Sequence, residues 1–238
     1  MIRSTSNNTI KTLIKLKQKK YRDEFGSYLI EGEHLVEEAI KAKQVECLIS
    51  TKEIKSDLPV IIVSNEVMKK ISFTKSPQSI MAKCKIKKEK KLVDGKRYLI
   101  LDDLQDPGNI GTLIRTALAF SIDQIILSNN CVDLYNDKLL RSMQGANFHI
   151  NCIYDDLKTV ISTLKKNNVK IIGSALENGQ DIKEIEISEK MAFIVGNEGN
   201  GMNKDILLKC DNIGYIPIDT IESLNVAIAG SIMMYHFR

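Results

Sequence analysis

Apolar positions follow two periods along the chain. Short apolar runs at 98–101, 124–127, 170–172 and 192–195 alternate with stretches of helical spacing near 110–120, 136–144, 155–167 and 202–209. Strands buried on both faces and separated by helices make a parallel sheet, so this half reads as α/β with a final helix over 223–237. Upstream the alternation is weaker: strands around 28–30, 45–50, 60–63 and 80–84, with helices over 33–42 and after Asn65, predict a small α/β unit of some 65 residues. Before it, Ile10, Leu13, Ile14 and Tyr21 recur at helical spacing behind Asn7 or Asn8 as N-cap. Lys11, Lys15 and Lys19 fall on another face, which predicts one amphipathic basic helix.

Charge divides the chain at the same place. Residues 1–97 hold 22 Lys and Arg against 12 Asp and Glu, a net of +10; residues 98–238 hold 12 against 18, a net of −6. A basic module that meets a polyanion, joined to a module with another task, fits this split; a lysine surface that only solvates the protein fits it equally. The run Lys83–Lys91 has six lysines in nine residues and precedes the turn Val93-Asp94-Gly95, giving domains at 1–90 and 98–238 with a linker at 91–97.

Composition removes several classes of function. Five scattered cysteines (Cys47, Cys84, Cys131, Cys152, Cys210) without a C-x-x-C pair argue against a disulfide framework or zinc site and for reduced thiols in cytoplasm. The histidines do not cluster either, so no metal is expected. The first twenty residues are polar, and the longest apolar stretch, near 226–235, falls short of the about 18 residues that span a bilayer. Neither membrane insertion nor secretion is expected.

In open parallel sheets, ligands bind beyond the carboxyl ends of strands, and three polar clusters stand there. Asp102 to Ala117 contains the turn Asp106-Pro107-Gly108, Asn109 at a helix mouth, and Arg115 in apolar company; pairing of Arg115 with a nearby aspartate is the plain alternative to a functional role. Gly196-Asn197-Glu198-Gly199-Asn200-Gly201 follows an apolar run; its spacing is neither the dinucleotide fingerprint nor a P-loop, and a simple glycine turn remains open. In Ile216-Pro217 to Ala229, Ser223 reads as a helix N-cap, with Asn225 two positions inside without an evident purpose.

Together, in order and spacing, these clusters resemble the three motifs of the SpoU (TrmH) family of RNA ribose 2′-O-methyltransferases. Upstream, Tyr21 to Gly26, Leu29 to His34 and Ser76-Pro77-Gln78 are similar to the ribosomal-protein-like substrate-binding domain of many members. The resemblance implies a parallel α/β SPOUT-type domain with a carboxyl-terminal trefoil knot, S-adenosyl-L-methionine as cofactor, and a homodimer. It implies cofactor contacts from Gly196, Asn197, Gly199, Ile216, Pro217, Leu224 and Asn225, and a β-branched residue at Gly196 would crowd the space that the glycine leaves and lose cofactor binding. It also implies a catalytic group of Arg115, Asn109, Glu198, Ser223 and Asn225, in which Glu198 and Ser223 hold Arg115 and Asn225 in place. Ser121, Ala227 and Asn151 depart from the usual pattern without touching those residues.

The partner expected is RNA, ribosomal rather than transfer RNA, with the 23S molecule favoured. A transfer-RNA enzyme, a non-catalytic RNA-binding or ribosome-assembly factor on the same scaffold, and a dinucleotide-dependent oxidoreductase are the alternatives; the last lacks its G-x-G-x-x-G.

Overall fold

The computed structural model describes residues 1–87, 91–221 and 223–238. Lys88, Glu89 and Lys90 of the lysine run, and Glu222 of the third cluster, lie outside the described residues. In chain order the first elements are α1 (Asn8–Lys15), α2 (Lys19–Phe25), β1 (Ser27–Glu31), α3 (Glu33–Lys41), β2 (Val45–Ser50), β3 (Val60–Ile62), α4 (Asn65–Ile71) and β4 (Ile80–Lys85). Then come β5 (Arg97–Leu101), α5 (Pro107–Ala119), β6 (Gln124–Leu127), α6 (Asp137–Met143), β7 (Asn151–Tyr154), α7 (Leu157–Lys166) and β8 (Lys170–Ser174). The chain closes with β9 (Gln180–Asp181), β10 (Met191–Val195), α8 (Lys204–Leu207), β11 (Asn212–Tyr215) and α9 (Val226–His236).

Two compact units form: Met1–Glu89 with Asp133–Phe148, and Lys90–Val132 with His149–Arg238. In the amino-terminal unit four strands lie in the order β1-β4-β2-β3, antiparallel except for the β2–β3 pair. Ile10, Leu13 and Leu16 pack with Leu29, Ile49, Val67, Met68 and Met81 to make its core. The single basic helix expected here is two. Asn7 caps α1, but the helix stops at Leu16, and the buried Arg22 on α2 donates to the carbonyls of Leu16 and Lys17 at 3.1 and 2.9 Å. Those carbonyls, freed by the break, find their partner in a guanidinium rather than in the next helical turn. Asp133–Phe148, which the sequence places with the later domain, groups with this unit: Asp133 pairs with Arg22, and the Tyr135 ring lies 4.5 Å from that of the buried Tyr28.

The second unit is a seven-stranded parallel sheet in the order β7-β6-β5-β10-β8-β11-β9. The central strands β5 and β10 are apolar and buried along almost their whole length, as strands covered on both faces must be. The expected strands appear, along with β7, β9 and β11, which their short and partly polar sequences conceal. From β10 the chain passes through the glycine cluster, crosses to β11 on the far side of β8, and returns as α9 to pack on α5 and β10. Gly230 permits that return, since a Cβ there would stand 2.6 Å from Leu113 on α5 and 3.3 Å from Val195 on β10.

Candidate active site

The three clusters meet at the carboxyl ends of β5 and β10. Asp106 caps α5, its Oδ1 accepting the Asn109 N–H at 2.8 Å, and Pro107 stands at the first helical position, where its missing N–H costs nothing. This cap fixes Asn109 in the first turn. The Asn109 amide donates to Glu198 Oε1 at 3.2 Å, and its Oδ1 accepts the Asn225 amide at 3.0 Å. One residue from the first cluster is thus tied to one from each of the others.

Glu198 is also the acceptor for backbone N–H groups of Gln105 and Asp106, at 3.3 and 3.1 Å. Partial burial raises its pKa, but hydrogen bonds from its own N–H, from the Asn109 amide and from those two N–H groups outweigh it, so the carboxyl lies below its usual range and is ionised at neutral pH. Asn197 shapes the glycine loop: Oδ1 accepts from Gly199 and Asn200 at 3.0 and 3.1 Å, and Nδ2 donates to the Asp103 carbonyl at 2.8 Å. Asp103 itself has positive φ (60°), which a non-glycine residue holds only when surroundings fix it. Its carboxylate accepts from Ser128 and Asn130, and its N–H donates to Ser128 Oγ. This support was not visible from residue types, because its members lie on three separate loops.

Two expected roles are placed differently. Asn225, not Ser223, is the N-cap of the last helix, its Oδ1 accepting from Ala227 and Ile228, so the helix begins at Val226; Ser223 is exposed and forms no hydrogen bond among the described residues. Arg115 lies on the exposed side of α5, while Ile110, Leu113, Ile114 and Ala117 face inward. It has no hydrogen bond or ion pair among the described residues, so the pairing with an aspartate is not made: Asp102 accepts the Asn203 N–H, Asp103 takes Ser128 and Asn130, and Asp106 caps its helix. Nor does Glu198 hold Arg115; its oxygens are taken by Asn109 and the backbone.

The comparisons with known proteins bear on both units. The model of the SpoU rRNA Methylase family matches residues 96–235, and that of the MRM3-like substrate binding domain matches residues 7–82. The chain belongs to the SpoU rRNA methylase family. It is 42% identical over 245 residues to the 23S rRNA (guanosine(2553)-2′-O)-methyltransferase RlmP of Bacillus subtilis (strain 168), with 100% of this chain and 98% of that protein covered. Among solved structures, a putative RNA methyltransferase of the TrmH family from Porphyromonas gingivalis superimposes with a TM-score of 0.90 at 28% identity, covering 100% of this chain and 98% of that one. An AdoMet-bound rRNA methyltransferase from Sinorhizobium meliloti gives 0.89 at 27%, covering 100% and 96%. This SpoU protein is an S-adenosylmethionine-dependent RNA 2′-O-methyltransferase.

The glycine loop of this SpoU methylase leaves room at two of its positions. Gly201 has φ +68° with nothing within 4 Å of where its Cβ would stand, and a Cβ on Gly199 would meet nothing nearer than Asn197 Oδ1 at 3.7 Å, so this part of the loop offers bare peptide to open space. The N–H groups of Ile218 and Leu224 make no hydrogen bond among the described residues. At Gly196 the space is bounded by the loop itself: a Cβ would stand 2.2 Å from Met202 N and 2.4 Å from Gly201 C, so what demands glycine there is the loop's own backbone. Ile216 is half-buried and Pro217 exposed. A surface cavity of about 640 Å³, lined by Arg97, Phe120, Glu189 and Arg238 among others, lies instead at the amino ends of β5 and β10; there Lys96 already pairs with Glu189 and Arg97 bonds the Phe237 carbonyl.

Proposed function

We propose that the chain methylates a guanosine ribose 2′-hydroxyl of 23S rRNA. The observation that carries this is the 42% identity to RlmP across the whole of this chain, the substrate-binding part included, since shared chemistry alone would need only the second unit. Mapping 2′-O-methyl groups in total RNA from cells with and without the protein tests it. A site in 23S rRNA that loses its methyl group is expected, and a loss confined to transfer RNA overturns it.

Within this reading, Gly199, Gly201, Ile218 and Leu224, together with Ile216, Asn197, Pro217 and Gly196, would hold S-adenosylmethionine, which would supply an electrophilic methyl group. The 2′-hydroxyl is a weak nucleophile, so alignment is the protein's main contribution. Asn109, fixed by Glu198 and Asn225, orients the ribose. Arg115, exposed and without an ion pair among the described residues, binds the adjoining phosphate and stabilises charge developing on the 2′-oxygen through its planar fork of donors. Ser223 lies within the segment that contacts the cofactor, immediately before Leu224.

The protein works as a homodimer in this reading. Helix α9 is apolar nearly all round, yet Ile228 and Tyr235 are 49% and 55% exposed, with Leu118 of the adjoining α5 at 37%. A helix of that character is normally covered on every side, and a second copy would cover it. The same return of α9 over β10 supports the trefoil knot. No helix among the described residues is long and apolar enough to cross a membrane, and no disulfide joins the five cysteines among the described residues, in keeping with a ribosomal RNA enzyme of the cytoplasm.

A further inference from the structure

The corner between α1 and α2 carries an aromatic pair on the surface of the amino-terminal unit. Tyr21 and Phe25, one turn apart on α2, stack with ring centroids 6.0 Å apart and planes inclined by 23°. Phe25 is 37% exposed and Tyr21 half-buried. The ammonium groups of Lys15 and Lys20 stand 5.2 and 5.8 Å from the Tyr21 ring centre. Neither these lysines nor Lys11, one turn earlier on α1, has a carboxylate partner among the described residues, whereas the adjacent Lys19 pairs with Asp23. Arg22, between the two rings in sequence, points inward to the Leu16 and Lys17 carbonyls and Asp133, which holds this face of α2 outward.

We propose that this corner is a docking surface for single-stranded RNA: one unpaired base extends the Tyr21–Phe25 stack, and the phosphates on either side bind Lys15 and Lys20. This deepens the reading of the chain as an RNA enzyme and rests on it. Rings flanked by unpaired cations are the composition of a single-strand platform, because every base has a face to stack and a charged backbone beside it. An exposed cation over tyrosine is weakly held, so either lysine turns from ring to phosphate at little loss. A duplex offers no free base face, so the surface selects loops and bulges, where RNA bases are splayed out.

The test is binding of the full-length protein to a labelled oligoribonucleotide of about a dozen residues, single-stranded and as duplex, at several salt concentrations. Tyr21→Leu with Phe25→Leu should weaken single-strand binding about five- to a hundredfold without changing the salt slope, and Tyr21→Phe should bind like the wild type. Phe25→Ser, at the more exposed of the two rings, should weaken binding in the same direction, and a thermal unfolding curve beside it separates lost binding from lost fold. Lys15→Gln with Lys20→Gln should lower the slope by about 1.4, the value for two phosphate contacts on a single strand. Wild-type affinity in both the double leucine variant and Phe25→Ser, or an equal loss towards duplex, overturns the platform. If the wild type methylates RNA while those variants bind normally, the platform alone falls; if the wild type neither binds nor methylates RNA, the proposed function falls with it.

Discussion

The amide of Asn225 donates to Asn109 Oδ1 at 3.0 Å across 116 positions of sequence, while Asn225 Oδ1 accepts the first N–H groups of the last helix. One side chain therefore caps α9 with its oxygen and holds the candidate ribose-positioning residue with its nitrogen. Asp at this position keeps the cap and loses the donor. Asn225→Asp should retain the thermal stability of the wild type to within a few tenths of a kcal/mol and lose most methyl transfer, whereas Asn225→Ala should lose the cap as well, about 1 to 2 kcal/mol. Unfolding curves beside single-turnover methylation separate the two; an active Asp variant would remove the link from the mechanism.

Arg115 has no structural bond to lose among the described residues, so its replacement reads function directly. Arg115→Lys should leave stability and cofactor affinity unchanged and lower kcat by about a hundredfold or more, because an ammonium cannot reproduce the planar fork of donors. Turnover within a few-fold of the wild type would exclude the guanidinium from the chemistry.

Two glycines of one loop should behave differently. Gly196→Ala forces a Cβ against the backbone of Gly201 and Met202, so the loop must move; a loss of about 1 to 3 kcal/mol in stability, together with weakened cofactor binding, is expected. At Gly199 an added Cβ meets only Asn197 Oδ1, at an ordinary 3.7 Å, so Gly199→Ala should keep stability and lose cofactor affinity alone. Calorimetric titration with S-adenosylmethionine, read beside thermal unfolding, makes the distinction.

Glu31 closes the loop after α4. Burial raises its pKa, but bonds from the Gln78 N–H, the Thr74 and Ser72 hydroxyls and the Phe73 N–H outweigh burial and bring it below the ordinary carboxyl value. A depressed folded-state pKa contributes stability that is present above the unfolded-state value and lost as pH falls through the folded one. Glu31→Gln should therefore cost about 2 to 4 kcal/mol at pH 7, and the gap from the wild type should narrow as the medium is acidified below the ordinary carboxyl range. A gap that stays constant on acidification would mean that the loop is held by packing and not by the charge.

What the sequence determined by itself was local: where apolar residues repeat, where turns fall, and which polar residues stand after a buried strand. Burial periodicity is a property of neighbouring residues, so the central strands, α3, α4 and α5 and the three polar clusters were legible from spacing. Tertiary structure decided the remainder. The helix break at Leu16 depends on Arg22 reaching back to two carbonyls, and Asp133–Phe148 joins the amino-terminal unit through Arg22 and Tyr28. Strands β9 and β11 are too short and too polar to declare themselves and exist because β8 is there to pair with. Arg115 faces outward because the apolar stripe of α5 is taken up by Ile110, Leu113, Ile114 and Ala117. Above all, Asn109, Glu198 and Asn225 become one group only when the chain returns over β10, since a hydrogen bond reports distance in space, which no spacing in sequence contains.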